Sequence, residues 1–339
     1  MVRSKMKAPK GSLVYQAPRA TFVDAMWAVS TLFIMFFLTL AYMVLVPWMV
    51  YRILVDGSLV LTAVAAFLVF TAVWPARYWA WFAQCRMLES WRRWHELRVW
   101  RDGPQQQQQF DRNTNVLLAM VPHGLFPLGL PMLSAIQAQV FPEFTTDKSE
   151  PNGVRTVVAN AVLHVPLLGL MLRWLNCTYA TRTHLEECLA SGNALVVPDG
   201  IAGMYHSDCT EERVYLAQRH GFVRAALEQG SLLVPCFWFG HSQLWAVWPK
   251  HDSWLAALSR RLRFSLVWFW GAWWMPPLPQ RVPLTLVVGR GIPCPKTQEP
   301  TRAQIEAVHT QFTEELKQLY YQYRSVAHGW DPKKPLLIV

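Results

Sequence analysis

Two long apolar stretches near the N-terminus dominate the hydrophobic pattern of the chain. Residues 25–51 carry no formal charge between Asp24 and Arg52, and residues 57–76 are likewise uncharged. A helix needs about 20 apolar residues to cross the hydrocarbon core of a bilayer. The first stretch exceeds that length and the second barely reaches it. The pattern predicts a transmembrane hairpin over 25–76, with a buried or re-entrant second segment as the alternative.

The charges beside this hairpin predict its orientation. Residues 1–20 carry five basic side chains and no acid, and residues 75–102 carry six arginines against three acids. Flanks rich in Lys and Arg remain on the cytosolic side of a membrane. We therefore expect residues 1–24 to form a basic cytosolic tail, and the chain after the hairpin to lie on the same side.

The segment 77–114 has a different pattern. Trp and Arg alternate over 77–101, which is typical of a helix lying among lipid headgroups, and five glutamines follow at 105–109. We predict an interfacial helix followed by an exposed Gln-rich loop.

From about residue 115, short apolar runs alternate with helical patterns. Capping boxes at 183–186 and 301–304 predict helix starts, while Gly192 and Gly230 predict helix ends with left-handed caps. Strands are predicted at 115–121, 154–159, 194–198, 232–239 and 284–288. This alternation favours an α/β domain over 115–339, with a largely parallel sheet flanked by helices.

Polar residues and glycines come directly after several of these strands. His123 follows the first strand, Asn160 the second, Asp199 the third and Gly240 the fourth. Ligands of open α/β sheets bind beyond the carboxyl ends of the strands. We therefore predict a functional site at this rim.

His123 is the sharpest candidate at the rim. Pro122 and Gly124 predict a tight turn that directs the imidazole outward. Such a histidine acts as a general base on a substrate hydroxyl when an activated acyl donor, such as a thioester, accepts the oxygen. Backbone N–H groups at the turn would stabilise the oxyanion that develops. The alternative is a structural, hydrogen-bonded histidine.

Composition narrows the class of protein. The chain is 53% hydrophobic and 16% charged, with 18 tryptophans and a net charge of +10. This excludes a disordered chain and indicates a membrane-attached protein with an anionic partner, because Trp collects at bilayer interfaces. Nucleic acid is not expected, since the basic residues concentrate beside the apolar stretches. The oligomeric state is left open.

Several kinds of site are discounted. The six cysteines have irregular spacing, so neither a disulfide framework nor a metal site is predicted. Dinucleotide and P-loop motifs are absent from the sequence. Residues 240–244 resemble the nucleophile elbow of a serine hydrolase, with Ser242 as nucleophile, but lack its final glycine.

Five motifs in order resemble the type-2 diacylglycerol acyltransferase family, which includes monoacylglycerol and wax-alcohol acyltransferases. The HPHG motif of the family appears as Val-Pro-His-Gly, and an Arg-His-Gly-Phe block is the most specific match. The resemblance covers about 110–339 and is carried by the segments 121–124, 163–182, 191–204, 219–235 and 287–293.

The resemblance implies a membrane enzyme that moves a fatty acyl group from acyl-CoA to a neutral lipid hydroxyl without a cofactor. It also implies a two-helix hairpin, location in the endoplasmic reticulum membrane or on a lipid droplet, and His123 as the base. Arginine pairs well with phosphate, so Arg182, Arg219 and Arg224 are candidates to bind CoA; surface charge is the alternative. Gly221 and Phe222 are further candidates to bind acyl-CoA. Pro122, Gly124 and Gly200 are candidates to form the turn that binds the oxyanion.

The chain departs from the family pattern at three positions. Val121 replaces the first histidine, Gly203 replaces a glutamate, and His241 replaces another glutamate. The role of the missing acid would pass to Asp199 or Glu211, with Asp199 orienting or charge-balancing the imidazole.

The motifs of the related glycerolipid acyltransferases bear on which acceptor the enzyme uses. The arginine that would hold a phosphorylated acceptor is absent from residues 199–202. This favours diacylglycerol as acceptor, with a monoacylglycerol or long-chain alcohol as alternatives. A phospholipid-class acyltransferase and an acyl-CoA-binding protein without turnover remain further alternatives.

Overall fold

The structure is a computed structural model, and it describes residues 11–103, 114–144, 153–206, 211–262, 267–276 and 278–339. The predicted Gln-rich loop lies outside these residues. The helices are α1 Phe22–Asp56, α2 Leu59–Val73, α3 Ala80–Ala83, α4 Arg86–Trp94, α5 Gly129–Ser134, α6 Gln137–Val140, α7 Asn160–Leu163, α8 Leu168–Trp174, α9 Arg182–Ser191, α10 Gly200–Tyr205, α11 Gly221–Gln229, α12 Trp254–Leu262 and α13 Arg302–Tyr323. The strands are β1 Ser12–Gln16, β2 Arg98–Arg101, β3 Val116–Val121, β4 Val154–Val158, β5 Cys177–Tyr179, β6 Asn193–Val196, β7 Glu212–Val214, β8 Leu232–Phe239, β9 Ala246–Trp248, β10 Trp268–Trp270, β11 Thr285–Val288, β12 Ile292–Pro293 and β13 Leu336–Ile338.

A sheet flanked by helices forms the centre of the molecule, as the alternating pattern predicts, but the sheet is mixed and contains antiparallel pairs at β1–β2, β11–β8 and β12–β8. Its strand order is β1-β2-β11-β8-β3-β6-β4-β5, with β12 also paired to β8. Neighbours from β8 to β5 along this order are parallel, whereas β11 runs antiparallel to β8. All residues of β3 and β8 are buried, which explains why both read as unbroken apolar runs. The five predicted strands are confirmed.

The sheet extends further than the predicted boundary at residue 115. β1 pairs antiparallel with β2, and β2 pairs parallel with β11. The first of these strands falls in the expected basic tail, and the second falls in the expected interfacial helix. Their hydrogen-bonding partners lie far away in the sequence, so local pattern alone does not reveal them.

α1 is the longest helix, and it begins at a capping box formed by Thr21 and Asp24. Among the described residues, the part from Phe22 to Tyr42 is the one helical stretch that is long and apolar enough to cross a membrane, by length and composition. α2 is apolar but has only 15 residues, fewer than the roughly 20 a crossing needs. Gly57, at φ 63°, separates the two helices.

One face of α1 packs against the rest of the protein. α4 lies along the first turns of α1, where Trp91 Nε1 donates to Thr31 Oγ1 at 2.8 Å. The expectation of one interfacial helix over 77–101 is therefore wrong: α3, α4 and β2 form there, and Trp91 and Leu88 are fully buried. In the N-terminal part of α1 the buried residues recur every fourth position, which is the spacing of one helix face; they are Asp24, Ala28, Leu32 and Phe36.

Two of the predicted helix ends are confirmed, and two differ from the prediction. The capping box at Thr301 and Gln304 is present, and Gly230 ends α11 in the left-handed conformation. α9 instead begins after Thr181, whose side chain accepts a hydrogen bond from the His184 N–H. At the end of α9, Gly192 has φ 164°, which is extended backbone and not the predicted left-handed cap.

The two faces of the sheet bury different sets of elements. One face packs against α1, α4, α5 and the segment that carries β9 and β10. The opposite face packs against α9, α11 and α13. Side chains of β3 alternate between the two cores, with Leu118 and Met120 in the first and Leu117 and Ala119 in the second.

Candidate functional site

The candidate site is built around the turn that follows β3. His123 lies one residue beyond a cis Val121–Pro122 peptide, and its side chain is partly exposed at the carboxyl end of the strand. Gly124 has φ 64°, a conformation that a residue with a side chain rarely adopts. A Cβ at Gly124 would also come within 2.7 Å of the His241 carbonyl oxygen. Glycine is therefore required for this turn.

The imidazole of His123 has a defined tautomer. Its Nδ1 lies 2.9 Å from the carbonyl oxygen of Gly124, so Nδ1 carries the proton and donates it. Nε2 is then the unprotonated nitrogen. Burial lowers the pKa of His123, which keeps the ring neutral near pH 7. The ring has the protonation state that a general base requires.

Asp199 meets the same turn from the end of β6. Its Oδ2 accepts a hydrogen bond from the main-chain N–H of His123 at 2.9 Å. Its Oδ1 is buried and has no hydrogen-bond partner among the described residues. Burial raises the pKa of Asp199 to about 7, against the opposing effects of backbone N–H groups and of Arg219. Asp199 thus holds the main chain of His123, while the ring bonds to Gly124.

The glycine at position 203 is explained by Asp199. A Cβ built on Gly203 would lie 2.6 Å from Cγ of Asp199, in the first turn of α10. The carboxyl group therefore fills the space that a side chain at 203 would need. A side chain at 203 therefore requires the carboxyl group of Asp199 to move.

His241 is a second histidine behind the turn. Its Nδ1 donates to the Pro122 carbonyl oxygen at 3.1 Å, and its Nε2 accepts from the Gly129 N–H at 3.1 Å. The ring stacks on Trp238 at 4.7 Å between centroids. Burial lowers the pKa of His241 to about 3, so the ring is neutral. Both of its nitrogens connect to the loop that carries His123.

Gly240 immediately precedes His241 and has φ 99°. A Cβ there would come within 3.1 Å of the Leu284 side chain. Glycine is therefore favoured at the end of β8, directly before His241.

The three candidate arginines have different surroundings. Arg182 donates to Glu186 and Glu228, and Arg224 donates to Glu228 at 3.0 Å. Both are paired with carboxylates at the surface. Arg219 stacks on Tyr215 at 5.1 Å, and its Nε is buried with no partner among the described residues. Its charge lowers the pKa of Asp199, so Arg219 is the candidate arginine with an electrostatic effect on the acid of the site.

The other predicted residues lie around or away from this centre. Gly221 begins α11, and Phe222 is buried against Phe312 at 5.0 Å. Glu211 pairs with Arg213 at 2.8 Å, and Asn160 is exposed, its carbonyl accepting from the His164 ring. Gly200, at φ 48°, follows Asp199 at the start of α10. No contact between His123 and Glu211 or Asn160 is among those described.

Ser242 is not placed as a nucleophile. Its Oγ is buried and donates to Glu212 Oε1 at 2.5 Å, and Lys334 Nζ binds the same oxygen at 3.0 Å. A nucleophilic serine donates instead to a histidine base. Ser242 is therefore not positioned to act as the nucleophile of a serine hydrolase.

An aromatic wall beside the site was not predicted. Phe126, three residues after His123, packs on Phe36 of α1 at 4.7 Å and on Trp245 at 5.4 Å. Phe269 of β10 completes the cluster, 5.6 Å from Phe126. The aromatic residues are visible in the sequence, but their meeting depends on contacts across more than 200 positions. The wall joins the turn of His123 directly to the apolar helix.

Comparisons with known proteins identify the family of the chain. The family model described as Diacylglycerol acyltransferase matches residues 58–338. Diacylglycerol O-acyltransferase 2-like protein 6 of Bos taurus is 26% identical over 250 residues, which are 66% of this chain and 70% of that protein. The 2-acylglycerol O-acyltransferase 1 of Bos taurus is 36% identical over 120 residues, 33% of this chain and 36% of that protein.

A search of solved structures also returned a similar protein. The crystal structure of the 1-acyl-sn-glycerophosphate acyltransferase PlsC from Thermotoga maritima has 13% identity and a TM-score of 0.40, covering 85% of this chain and 96% of that chain. The family assignment rests on the sequence match, which extends over most of the chain. The protein belongs to the diacylglycerol acyltransferase family.

Proposed function

We propose that this protein transfers a fatty acyl group from acyl-CoA to the hydroxyl of a neutral lipid, with diacylglycerol as acceptor and triacylglycerol as product. The observation that carries the proposal is the neutral His123, with Nε2 unprotonated, beside an aromatic wall that contacts the apolar helix α1. A base in this place reaches a hydroxyl presented from an apolar phase. Family membership supplies the reaction class.

The proposed reaction is direct transfer. Nε2 of His123 accepts the proton of the acceptor hydroxyl as its oxygen attacks the thioester carbonyl carbon. The C–S bond then breaks, and the CoA thiolate takes the proton back from the imidazolium. N–H groups of the turn at Gly124 stabilise the oxyanion. Asp199 contributes by fixing the main chain of His123, supported by the 2.9 Å hydrogen bond.

For acyl-CoA, Arg219 is the preferred phosphate contact. Its Nε is buried without a described partner, whereas Arg182 and Arg224 are already paired with Glu228. Guanidinium groups bind phosphate in a planar, bidentate manner. Gly221 and Phe222 follow Arg219 closely in the chain and shape the same edge of the protein.

The membrane arrangement that we propose is a hairpin of α1 and α2 with both ends in the cytosol, in the endoplasmic reticulum or on a lipid droplet. The apolar α1, the apolar α2 and the turn at Gly57 support it. Protease protection of tags at the two termini tests it. Protection of either tag inside sealed microsomes would contradict it.

Acceptor assays test the activity. Purified protein with radiolabelled acyl-CoA is given diacylglycerol, monoacylglycerol, a long-chain alcohol or a lysophospholipid in parallel. We expect triacylglycerol as the main product, and the same product in a yeast strain that lacks neutral lipids. Preference for lysophospholipid would favour the phospholipid-class alternative, and acyl-CoA binding with no product would favour the non-enzymatic one.

The local likeness to a 2-acylglycerol acyltransferase favours a second candidate acceptor. Under that alternative, monoacylglycerol would be converted to diacylglycerol faster than diacylglycerol to triacylglycerol. The ratio of the two rates at equal acceptor concentration decides between them.

A further inference from the structure

Four exposed tryptophans lie together on a small two-stranded ribbon beside the sheet. β9 pairs antiparallel with β10, and Trp248 stands opposite Trp268 in the register. Trp273 and Trp274 follow in a short 3-10 turn. These four residues, which we call the tryptophan surface, are 59–79% exposed; they are Trp248, Trp268, Trp273 and Trp274.

The backbone itself directs two of these indoles outward. Trp273 and Trp274 have φ of 52° and 60°, in the left-handed region that large side chains avoid. Such strain persists only where the surrounding structure maintains it, and it concentrates at functional sites. Here Gly271 and Ala272 hydrogen-bond to Met275 and Leu278 across the turn. Main-chain hydrogen bonds therefore hold the base of the turn, while the indoles of Trp273 and Trp274 remain exposed to solvent.

A shallow groove lies beside the tryptophan surface and shares two of its residues. Trp268, Trp270, Trp274 and Pro276 line a depression of about 340 Å³. The two flanking segments, 244–249 and 267–276, contain no charged residue, and Lys250 follows the first of them. Isolated exposed apolar residues are ordinary, but a contiguous apolar patch marks an interaction site.

The opposite side of the ribbon packs, through Phe126, on the apolar helix α1. Val247 and Phe269 are buried, and Phe269 packs on Phe126, which packs on Phe36 of α1. All of these residues belong to the core on one face of the sheet. The tryptophan surface and the longest apolar helix are therefore carried by the same face of the protein, while α13 lies on the other.

We infer that the tryptophan surface is a second membrane contact, separate from α1 and α2, at which the indoles lie in the interfacial region of the bilayer. Indoles prefer that region because their apolar rings enter the lipid while the N–H remains near water. The absence of charge in the ribbon suits the apolar side of the interface. The inference rests on the proposed membrane placement of α1, and it names which part of the domain meets the lipid.

Lipid photolabelling of the full chain tests this inference. The protein is reconstituted in phosphatidylcholine vesicles that contain a phospholipid with a photoactivatable diazirine in its acyl chain. After illumination, adducts are located by mass spectrometry on peptides from 22–42, 267–276 and 302–323. We expect adducts on the first two segments and none on the third, which forms α13, a helix that packs against the opposite face of the sheet.

The outcomes separate this inference from the proposed function, because the measurement does not depend on turnover. Adducts on 22–42 without adducts on 267–276 would overturn the inference and leave the membrane placement of α1 intact. Absence of adducts on both would overturn both. Adducts on 302–323 at the same yield would mean indiscriminate labelling and would also overturn the inference.

A matched pair of variants gives a second readout. In W273S/W274S we expect the adduct yield on the other residues of 267–276 to fall. The yield on 22–42 is retained, and this retained yield also shows that the variant is folded. The control V326S/L337S replaces exposed apolar residues elsewhere on the protein and leaves both yields unchanged. Equal yields on 267–276 in W273S/W274S and in the wild type would contradict a contact made by these indoles, and so would cross-linking of this segment to a second copy of the chain.

Discussion

The carboxyl group of Asp199 accepts a hydrogen bond from the main-chain N–H of His123, and the ring of His123 bonds to its own neighbour Gly124. An acid beside a catalytic histidine commonly orients the imidazole. In this protein the described contact of the acid is with the backbone. The acid therefore determines where the turn lies, and the turn determines where the ring lies.

Removal of the base gives the first prediction. His123→Ala and His123→Gln should lower kcat by about 10²- to 10⁴-fold, the usual contribution of general-base catalysis. His123 is only partly buried as a residue, so the thermal midpoint of unfolding should change little. Initial rates of triacylglycerol formation and a melting curve in detergent check this together. Near wild-type activity in either variant would refute the assignment.

The titration of Asp199 gives the second prediction. Burial raises its pKa to about 7 from about 3.9 in an unfolded chain. The folded state therefore holds the proton more tightly, and this stabilisation is complete below about pH 4 and is lost as the pH rises through 7. Asp199→Asn should flatten the pH dependence of the unfolding free energy between pH 4 and 7, by up to about 4 kcal/mol. Superimposable pH profiles for variant and wild type would contradict this.

The lack of space for a side chain at position 203, next to Asp199, gives the third prediction. Gly203→Ala places a Cβ against Asp199 and should destabilise the protein by about 1–3 kcal/mol, as overpacking does. Asp199→Ala/Gly203→Ala removes the closest contacts, those with the carboxyl group, and leaves the contact with Cβ at 3.1 Å. The cost of the alanine at 203 should therefore be smaller than in the wild-type background. A double-mutant cycle on unfolding free energies measures this coupling. Strictly additive costs would show that the two positions do not share space.

His241 gives the fourth prediction, because it connects to the loop of His123 at both ring nitrogens. His241→Leu leaves the Gly129 N–H without its described partner and should cost about 1–3 kcal/mol of stability. It should also lower kcat, since the base is displaced, whereas His241→Gln should recover part of both losses. Because burial holds the pKa of His241 near 3, the activity profile between pH 5 and 8 should keep the wild-type shape in the glutamine variant. A shifted profile would mean that His241 itself titrates during turnover.

The attachment of α1 gives the fifth prediction. Asp24 is fully buried and pairs with Arg86 at 2.7 Å and with Arg93 at 3.2 Å. Arg86 and Arg93 stay partly exposed, so the loss of Asp24 leaves no fully buried charge unpaired. Asp24→Ala should cost about 1 kcal/mol, as the loss of a partly exposed ion pair or of a helix cap does, and should loosen α1 from α4. Hydrogen exchange over 86–94 measures this. The control Asp56→Ala breaks the exposed pair with Arg52 and should leave exchange over 86–94 unchanged.

The parts of the fold that the sequence predicts are those with a local cause. β3 and β8 are buried along their whole length, so an unbroken apolar run was sufficient to locate them. α13 was located by its capping box, which is formed by residues three positions apart. The position of His123 followed from the end of a strand and two turn-forming neighbours.

The parts that the sequence did not predict depend on distant partners. β2 has an arginine at each end and resembles part of a helix, and it becomes a strand because β1 and β11 pair with it. Likewise, the aspartate at 199 is recognisable as a candidate acid, but its hydrogen bond to the main chain of His123 joins residues 76 positions apart. Tertiary contacts decide both cases.

The pairing of β1 with β2 also constrains how the protein is made. The apolar helices lie between these two strands in the chain, so the polypeptide leaves and rejoins the same edge of the sheet. β2 in turn pairs with β11, which leaves the ribosome only after most of the chain has been synthesised. Until then, β1 and β2 form an unprotected edge next to newly emerged apolar helices, an arrangement prone to wrong pairing. Early capture of those helices by lipid would separate them from this edge during synthesis.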